Sequence, residues 1–320
     1  SARKNGGDGG HDNAMTGFAM LCYFGWGAKH TEAGPHQVPM TKAVNWLAGQ
    51  VGSDGDLTGG HGQGMYDQGI ATMALAEAYG LTKDPALFEP LRRATAFITK
   101  AQSKTHGGWR YRPDSTDGDT SMVGWQVMAL TSARMAGLHV PEESFDLARK
   151  WLDTVGAGPH RGLYGYTEAK PTLTMTAEGM FCQQLMGLRP ENSRMIEAAE
   201  YLKTALPDPR RPDYYYWYYG CLSLYQHQGP VWEMWNQEMK KTLLSMQVRS
   251  GEAAGSWPAT GQYTPRGGLV MSTAMATLSL EVYYRYLPMY RTLPPAEPTT
   301  QPATKPATKQ ATKQATKQAP

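Results

Sequence analysis

Two kinds of helical segment alternate along this chain. In the first, apolar residues return every three or four positions and leave a charged face. Leu91, Ala94, Phe97, Ile98 and Ala101 share one side, with Arg92, Arg93 and Lys100 on the other. Such a helix covers a core from outside. In the second kind, apolar residues fall on every side, as in Met122, Val123, Trp125, Val127, Met128, Ala129 and Leu130, and a helix of that sort is buried all round. Followed through the chain, the alternation predicts six inner helices near 12–28, 66–80, 120–136, 173–187, 214–226 and 271–286. Five outer helices are predicted near 40–50, 85–102, 141–154, 191–205 and 232–248, and a further outer helix before Gly6 is expected upstream of Ser1.

The joints between the two kinds repeat as well. Gly55-Asp56-Leu57, Gly107-Gly108-Trp109, Gly162-Leu163-Tyr164 and Gly255-Ser256-Trp257 each put a large side chain after glycine, suited to plugging the seam between helix pairs. Gln50, Gln102 and Gln247 precede three of these turns, where an amide can bond the open backbone groups of neighbouring helix ends. Each inner helix also carries a glycine near its start, at Gly17, Gly69, Gly124, Gly179 and Gly220, with Ala274 or Ala276 in the sixth copy. Glycine inside a helix costs roughly 1 kcal/mol relative to alanine, so its recurrence calls for close packing of neighbouring inner helices. Repeats of this kind either stack as an open solenoid or close into a ring. Inner helices this apolar favour closure, and the expected fold is an all-α, closed α/α toroid over residues 1–290.

Composition changes this picture only at the end of the chain. The formal charge is +3, and the four lysines and one glutamate of residues 293–320 account for it. The folded part is therefore near neutral, with no footprint for nucleic acid. Residues 291–320, with their prolines and four Ala-Thr-Lys repeats, lack the apolar content for a core and read as a disordered tail. Cys22, Cys182 and Cys221 are widely spaced within apolar stretches and read as buried free thiols. No apolar run approaches the ~18 residues of a membrane span, which leaves peripheral membrane contact open.

On its Gln-Trp turns, Phe97-Ile98 through Gln102 to Gly108-Trp109 and Leu244 through Gln247 to Gly255-Ser256-Trp257, the chain resembles the terpenoid cyclase and protein prenyltransferase superfamily. The similarity is to its squalene-hopene cyclase-like repeat proteins, and the step Asp117-Gly118-Asp119-Thr120-Ser121 falls where that family carries an Asp-rich motif. The resemblance implies an isoprenoid or other apolar ligand in a central cavity, an aspartic acid as proton donor, and aromatic faces that steady a carbocation. No cofactor is implied. Aligned on Thr120, the family's donor position is Gly118, and a glycine cannot give a proton; Asp117 and Asp119 are the remaining candidates. The resemblance to prenyltransferases would imply zinc, but no Asp-x-Cys ligand pattern occurs and no metal is expected.

Each candidate has a second reading. Asp119, like Asp12, suits a helix N-cap. Asp67 lies within its helix, facing a cavity mouth or pairing with a neighbour such as Arg110. Tyr215, Trp217 and Tyr218 of the run Tyr214 to Tyr219 supply either a cavity wall, with Thr120 and Asp67, or core filling. Trp125, Trp257 and Tyr283 to Tyr286 read as packing. His11 and His61, in two Gly-Gly-His turns, read as loop histidines, with metal binding by the two around one cavity mouth as the alternative. A non-catalytic, envelope-associated scaffold for a protein partner is the first alternative to a cyclase. A carbohydrate-active toroid is the second, with Asp67, Asp119 and Glu178 near the same ends of three inner helices.

Overall fold

The two helix types become two layers in the computed structural model, which describes residues 10–285. The inner layer is α1 (Asp12–Gly25), α3 (Met65–Thr82), α5 (Thr120–Met135), α7 (Leu173–Leu185), α9 (Tyr214–His227) and α11 (Gly268–Leu280). The outer layer is α2 (Gln37–Gln50), α4 (Phe88–Ala101), α6 (Glu142–Val155), α8 (Ser193–Lys203) and α10 (Gly229–Met246), and a single turn, α12 (Val282–Arg285), follows α11. These bounds agree with the hydrophobic pattern to within a few residues, except that α11 begins at Gly268 and stops at Leu280 rather than 286. A two-residue hairpin, β1 (Gly156–Ala157) with β2 (Leu163–Tyr164), was not legible in the pattern. The expected tail, and Tyr286, lie outside the described residues.

Three inner helices start where a side chain takes the open amides of the first turn. Asp119 Oδ1 accepts from the Met122 amide at 2.8 Å, Thr172 Oγ1 from Met175 at 3.2 Å, and Asp213 Oδ1 from Tyr216 at 3.0 Å, capping α5, α7 and α9. Asp12 does not cap α1, contrary to expectation, because it is already the first helical residue. The amide of Ala14 is bonded instead by Asp67 Oδ1 of α3, at 2.9 Å, so one inner helix is capped by its neighbour.

Each inner helix packs on the next, and α11 packs on α1, so the ring is closed. At the closure the Cys22 thiol meets the Ala274 carbonyl at 3.6 Å, across 252 positions of chain. Cys182 and Cys221 are buried free thiols, and Cys22 is half-buried. Gly17, Gly69 and Gly124 sit where a Cβ would crowd the following inner helix, at Ile70, at Trp125 with Gln126, and at Glu178. Gly179 and Gly220 differ from expectation, since they make room for the Tyr164 ring and for Trp235 of the outer layer.

The turns join the layers. A Cβ on Gly55, Gly107 or Gly162 would strike the backbone carbonyl of Arg93, Leu147 or Arg194, one residue in each of α4, α6 and α8. The Trp109 and Trp257 indoles donate to the carbonyls of Ile98 and Leu243 at 2.8 and 2.7 Å, fixing each turn to the outer helix before it. Gln102 does what its position suggested, donating to Gly107 and to Ser144 at 2.8 and 2.9 Å. Gln247 reaches only its own turn, at Gly255, and Gln50 only Trp46 of its own helix. Gln68 of α3 takes over at the first turn, accepting from Leu57 and donating to Gly55 and Ala94.

Among the described residues no outer helix of comparable length flanks the junction of α11 with α1. The turn α12 packs against α1, α9 and α11. A cleft of about 550 Å³ lies among α1, α11 and the loop after α10, lined in part by Cys22, Tyr23, Trp26, Val270 and Ala274. No helix among the described residues is long and apolar enough to cross a membrane.

Candidate functional site

Because each of the first five inner helices is followed by an outer one that returns the chain, the six inner N-termini collect at one end of the ring. A cavity of about 550 Å³ opens there. Each inner helix contributes residues from its first turns: Ala14, Met15 and Phe18; Tyr66 and Ile70; Ser121 and Trp125; Thr174 and Met175; Tyr215; and Met271. The turns add His11, Gln63, Tyr111, Tyr166, Thr172, Gln262, Tyr263, Arg266 and Gly267. One arc is therefore aromatic and apolar, and the rim carries amides, hydroxyls and a guanidinium. None of the described lining residues is an aspartate or glutamate.

The carboxylates sit one layer back. Asp119 is fully buried; its Oδ1 accepts from the Ser121 hydroxyl at 2.6 Å, and Ser121 in turn meets the Tyr66 hydroxyl at 2.8 Å. Arg110 Nε stands 3.5 Å from Asp119 Oδ2, while its guanidinium lies over the Tyr111 and Tyr166 rings and donates to the Gly118 carbonyl. Burial raises the Asp119 carboxyl above the usual range, against the hydrogen bonds from Ser121 and Met122 and the charge of Arg110. Glu178 is also fully buried. The Trp125 indole donates to the Tyr215 hydroxyl at 2.9 Å, and that hydroxyl donates onward to Glu178 Oε1 at 3.2 Å. Desolvation pushes the Glu178 carboxyl well up and nearby Asp119 pushes it further, with bonds from Tyr219 and Tyr215 opposing. Desolvation likewise raises the phenols of Tyr66 and Tyr166, followed by the field of Asp119.

A separate group stands at the cavity edge. Asp67, only 1% exposed, places Oδ2 2.6 Å from His11 Nδ1 and 3.0 Å from His61 Nε2. It does not reach Arg110, which is engaged by Asp117 and Asp119.

No known family profile matches the sequence, and no curated protein matches it. Similarity appears only among solved structures. An inactive variant of an alpha-1,6-mannanase from Salegentibacter sp. HEL1_6, with two consecutive aspartates replaced by alanine and alpha-1,6-mannotetrose bound, superposes with a TM-score of 0.58. The match has 13% identity over 85% of this chain and 88% of the mannanase. The fold is an α/α toroid. A polysaccharide lyase, at 12% identity over 87% of this chain and 75% of its own, gives a TM-score of 0.44.

Within the toroid, the residues singled out from sequence separate. Tyr215 lines the cavity. Thr120 does not: its hydroxyl donates to the Gly165 carbonyl and receives the Trp151 indole. Trp217 packs edge-on against Tyr214, Tyr218 stacks on the Trp125 ring at 5.9 Å, and neither is among the residues that line the cavity. Trp125, expected as packing only, is a wall residue. Asp117 is largely exposed and 3.8 Å from Arg110. Gly118 is a packing position, because a side chain there would press on Gly108 and the Trp151 ring, so an acid at that place would not reach the cavity. The terpenoid-cyclase reading thus keeps its architecture, while the cavity wall holds none of its acids.

Tyr111 and Tyr166, whose hydroxyls meet each other, were missed from the sequence. The signal was present: both stand two residues after the plugging residue of their turns, Trp109 and Tyr164, one repeat apart. Their carbonyls accept from the amides of Met65 and Thr120 that open the adjacent inner helices, which turns the rings inward.

The two aspartates of the Asp-rich step separate by mutation. Asp119→Ala should cost about 1–2 kcal/mol in urea denaturation through the lost cap, while Asp117→Ala should stay within about 0.5 kcal/mol. Equal losses would mean that Asp119 is not the cap.

Proposed function

We propose that the toroid binds a short oligosaccharide carrying an acidic group in its central cavity. The observation that carries this reading is the lining: the rings of Tyr66, Tyr111, Tyr166, Tyr215, Tyr263 and Trp125 alternate with Gln63, Gln262, Ser121, Thr174 and Arg266, with no described carboxylate among them. A sugar ring offers an apolar face to stack on aromatic rings and hydroxyls that satisfy amides and phenols. A hydrocarbon would leave those polar groups unpaired on closing the cavity, which is costly. Arg266 at the rim favours negative charge in the ligand, whereas the starts of α1, α5 and α9 are already met by Asp67, Asp119 and Asp213.

The mannanase supports the reading only through its fold and its bound saccharide, since fold alone does not carry function. This chain contains no two consecutive aspartates, so the pair replaced in that variant has no counterpart here. The proposal is therefore one of recognition rather than of hydrolysis by paired carboxylates. The expectation of an isoprenoid ligand survives in the apolar arc of Met15, Phe18, Ile70, Met175 and Met271, and it sets the competing arm of the test.

Titration calorimetry with uronate-containing oligosaccharides, neutral oligosaccharides, farnesyl diphosphate and squalene decides between them. Uronate oligosaccharides should bind saturably, and Arg266→Ala should weaken them by about tenfold or more, as expected for loss of a charged hydrogen bond, while changing neutral sugars little. Saturable binding of a polyprene with none of the sugars would overturn the proposal.

A further inference from the structure

His11 and His61 come from two separate glycine-rich turns, ahead of α1 and α3, and both direct a ring nitrogen at one oxygen of a buried carboxylate. Gly10, Gly59 and Gly60 hold positive φ values of 92°, 65° and 73°, the left-handed backbone that glycine adopts most easily, and so shape the turns that present the two rings. The imidazoles meet edge to face, with centroids 4.3 Å apart. Their facing nitrogens and the Asp67 oxygen all lie within 4.8 Å of one another. The second Asp67 oxygen is held by the Ala14 amide at 2.9 Å, which fixes the carboxylate in place as an outer-shell bond fixes a ligand. His11 also lines the central cavity, so the group faces open space on one side.

We infer that His11, His61 and Asp67 form a binding site for one divalent zinc-class ion at the cavity wall, with its remaining position open to the cavity. Two imidazoles and one carboxylate are the ligand set that borderline first-row ions prefer, and three protein ligands leave a coordination position free. Ligand atoms on zinc stand roughly 3–3.5 Å apart, given bonds of about 2.0–2.2 Å. Small rotations of the two turn-borne rings bring the present hydrogen-bonded spacing to that value. The contrast within the same molecule is His30, which meets Asp84 at 3.0 Å with no third ligand among the described residues gathered around the pair. Placed as it is, the ion would give the cavity a second cationic element, independent of Arg266 and of what the cavity binds.

The test uses the whole chain, stripped with chelator and titrated with Zn²⁺ by calorimetry, and with Co²⁺ by visible absorption. The expected result is one equivalent bound, with Co²⁺ bands that indicate nitrogen and oxygen ligands. His61→Gln should weaken Zn²⁺ binding at least tenfold with little change in the melting temperature of the stripped protein, because that side chain is 24% exposed. Asp67→Asn should abolish binding, and His30→Gln should leave it as in the parent. His61→Gln stands as the test if Asp67→Asn does not fold. Failure of the parent chain to take up Zn²⁺, or unchanged affinity in His61→Gln, overturns the assignment.

Discussion

Replacing Gly107 with alanine should lower the stability of the toroid by about 2–5 kcal/mol, the sum of roughly 1–2 for a left-handed residue with a Cβ and 1–3 for overpacking. Gly107 has φ of 85°, and a Cβ added to it would strike the backbone carbonyl of Leu147 in α6. A main-chain carbonyl within a helix cannot swing aside as a side chain can, so α6 must move away from the turn. Gly255 supplies the control. It occupies the matching turn of the last copy with φ of 88°, yet nothing lies within 4 Å of the Cβ it would gain. Gly255→Ala should therefore show only the conformational part, about 1–2 kcal/mol. Urea denaturation of the two variants side by side measures the docking of turn on helix as their difference. Equal losses would show that these turns do not brace the outer layer.

Glu178→Gln should stabilise the protein, by an amount that grows with pH. The folded state keeps the Glu178 proton well past the point, about pH 4.5, at which the unfolded chain releases it. Across that window the native state binds one proton more, so stability contributed by this group falls as pH rises. The slope is about 1.4 kcal/mol per pH unit until the folded carboxyl itself ionises. Glutamine keeps the bond from Tyr215 and removes the titration. The gain over the parent should then be small near pH 5 and reach several kcal/mol at alkaline pH, the usual scale for an uncompensated buried charge. Urea midpoints at pH 5, 7 and 9 check it. A pH-independent difference would mean that Glu178 is not held neutral.

The layers were legible because each helix type has its own hydrophobic pattern, and closure followed from inner helices with no polar face. The in-register glycines marked the ring correctly, but their neighbours were only half legible. Gly124 faces a side chain of the next inner helix, whereas Gly220 faces Trp235 in the outer layer, and sequence period alone does not distinguish the two. Most of the cavity wall was hidden for a related reason. Tyr111, Tyr166 and Tyr263 lie in turns, where no periodicity assigns a direction, and the first two are held inward by carbonyls tied to the opening amides of α3 and α5. The run Tyr214 to Tyr219 drew attention by its density, yet only Tyr215 reaches the described lining. Asp67 lies 56 positions from His11, and its pairing depends on α1 and α3 being neighbours.

The seam between α11 and α1 has a consequence for how the protein is made. The partner of Cys22 at that seam is Ala274, 252 positions later, and at about 5–20 residues per second the ribosome needs roughly 12–50 s to deliver it. Throughout that interval the growing chain carries an uncovered apolar edge on α1, and the hoop can shut only once α11 has emerged.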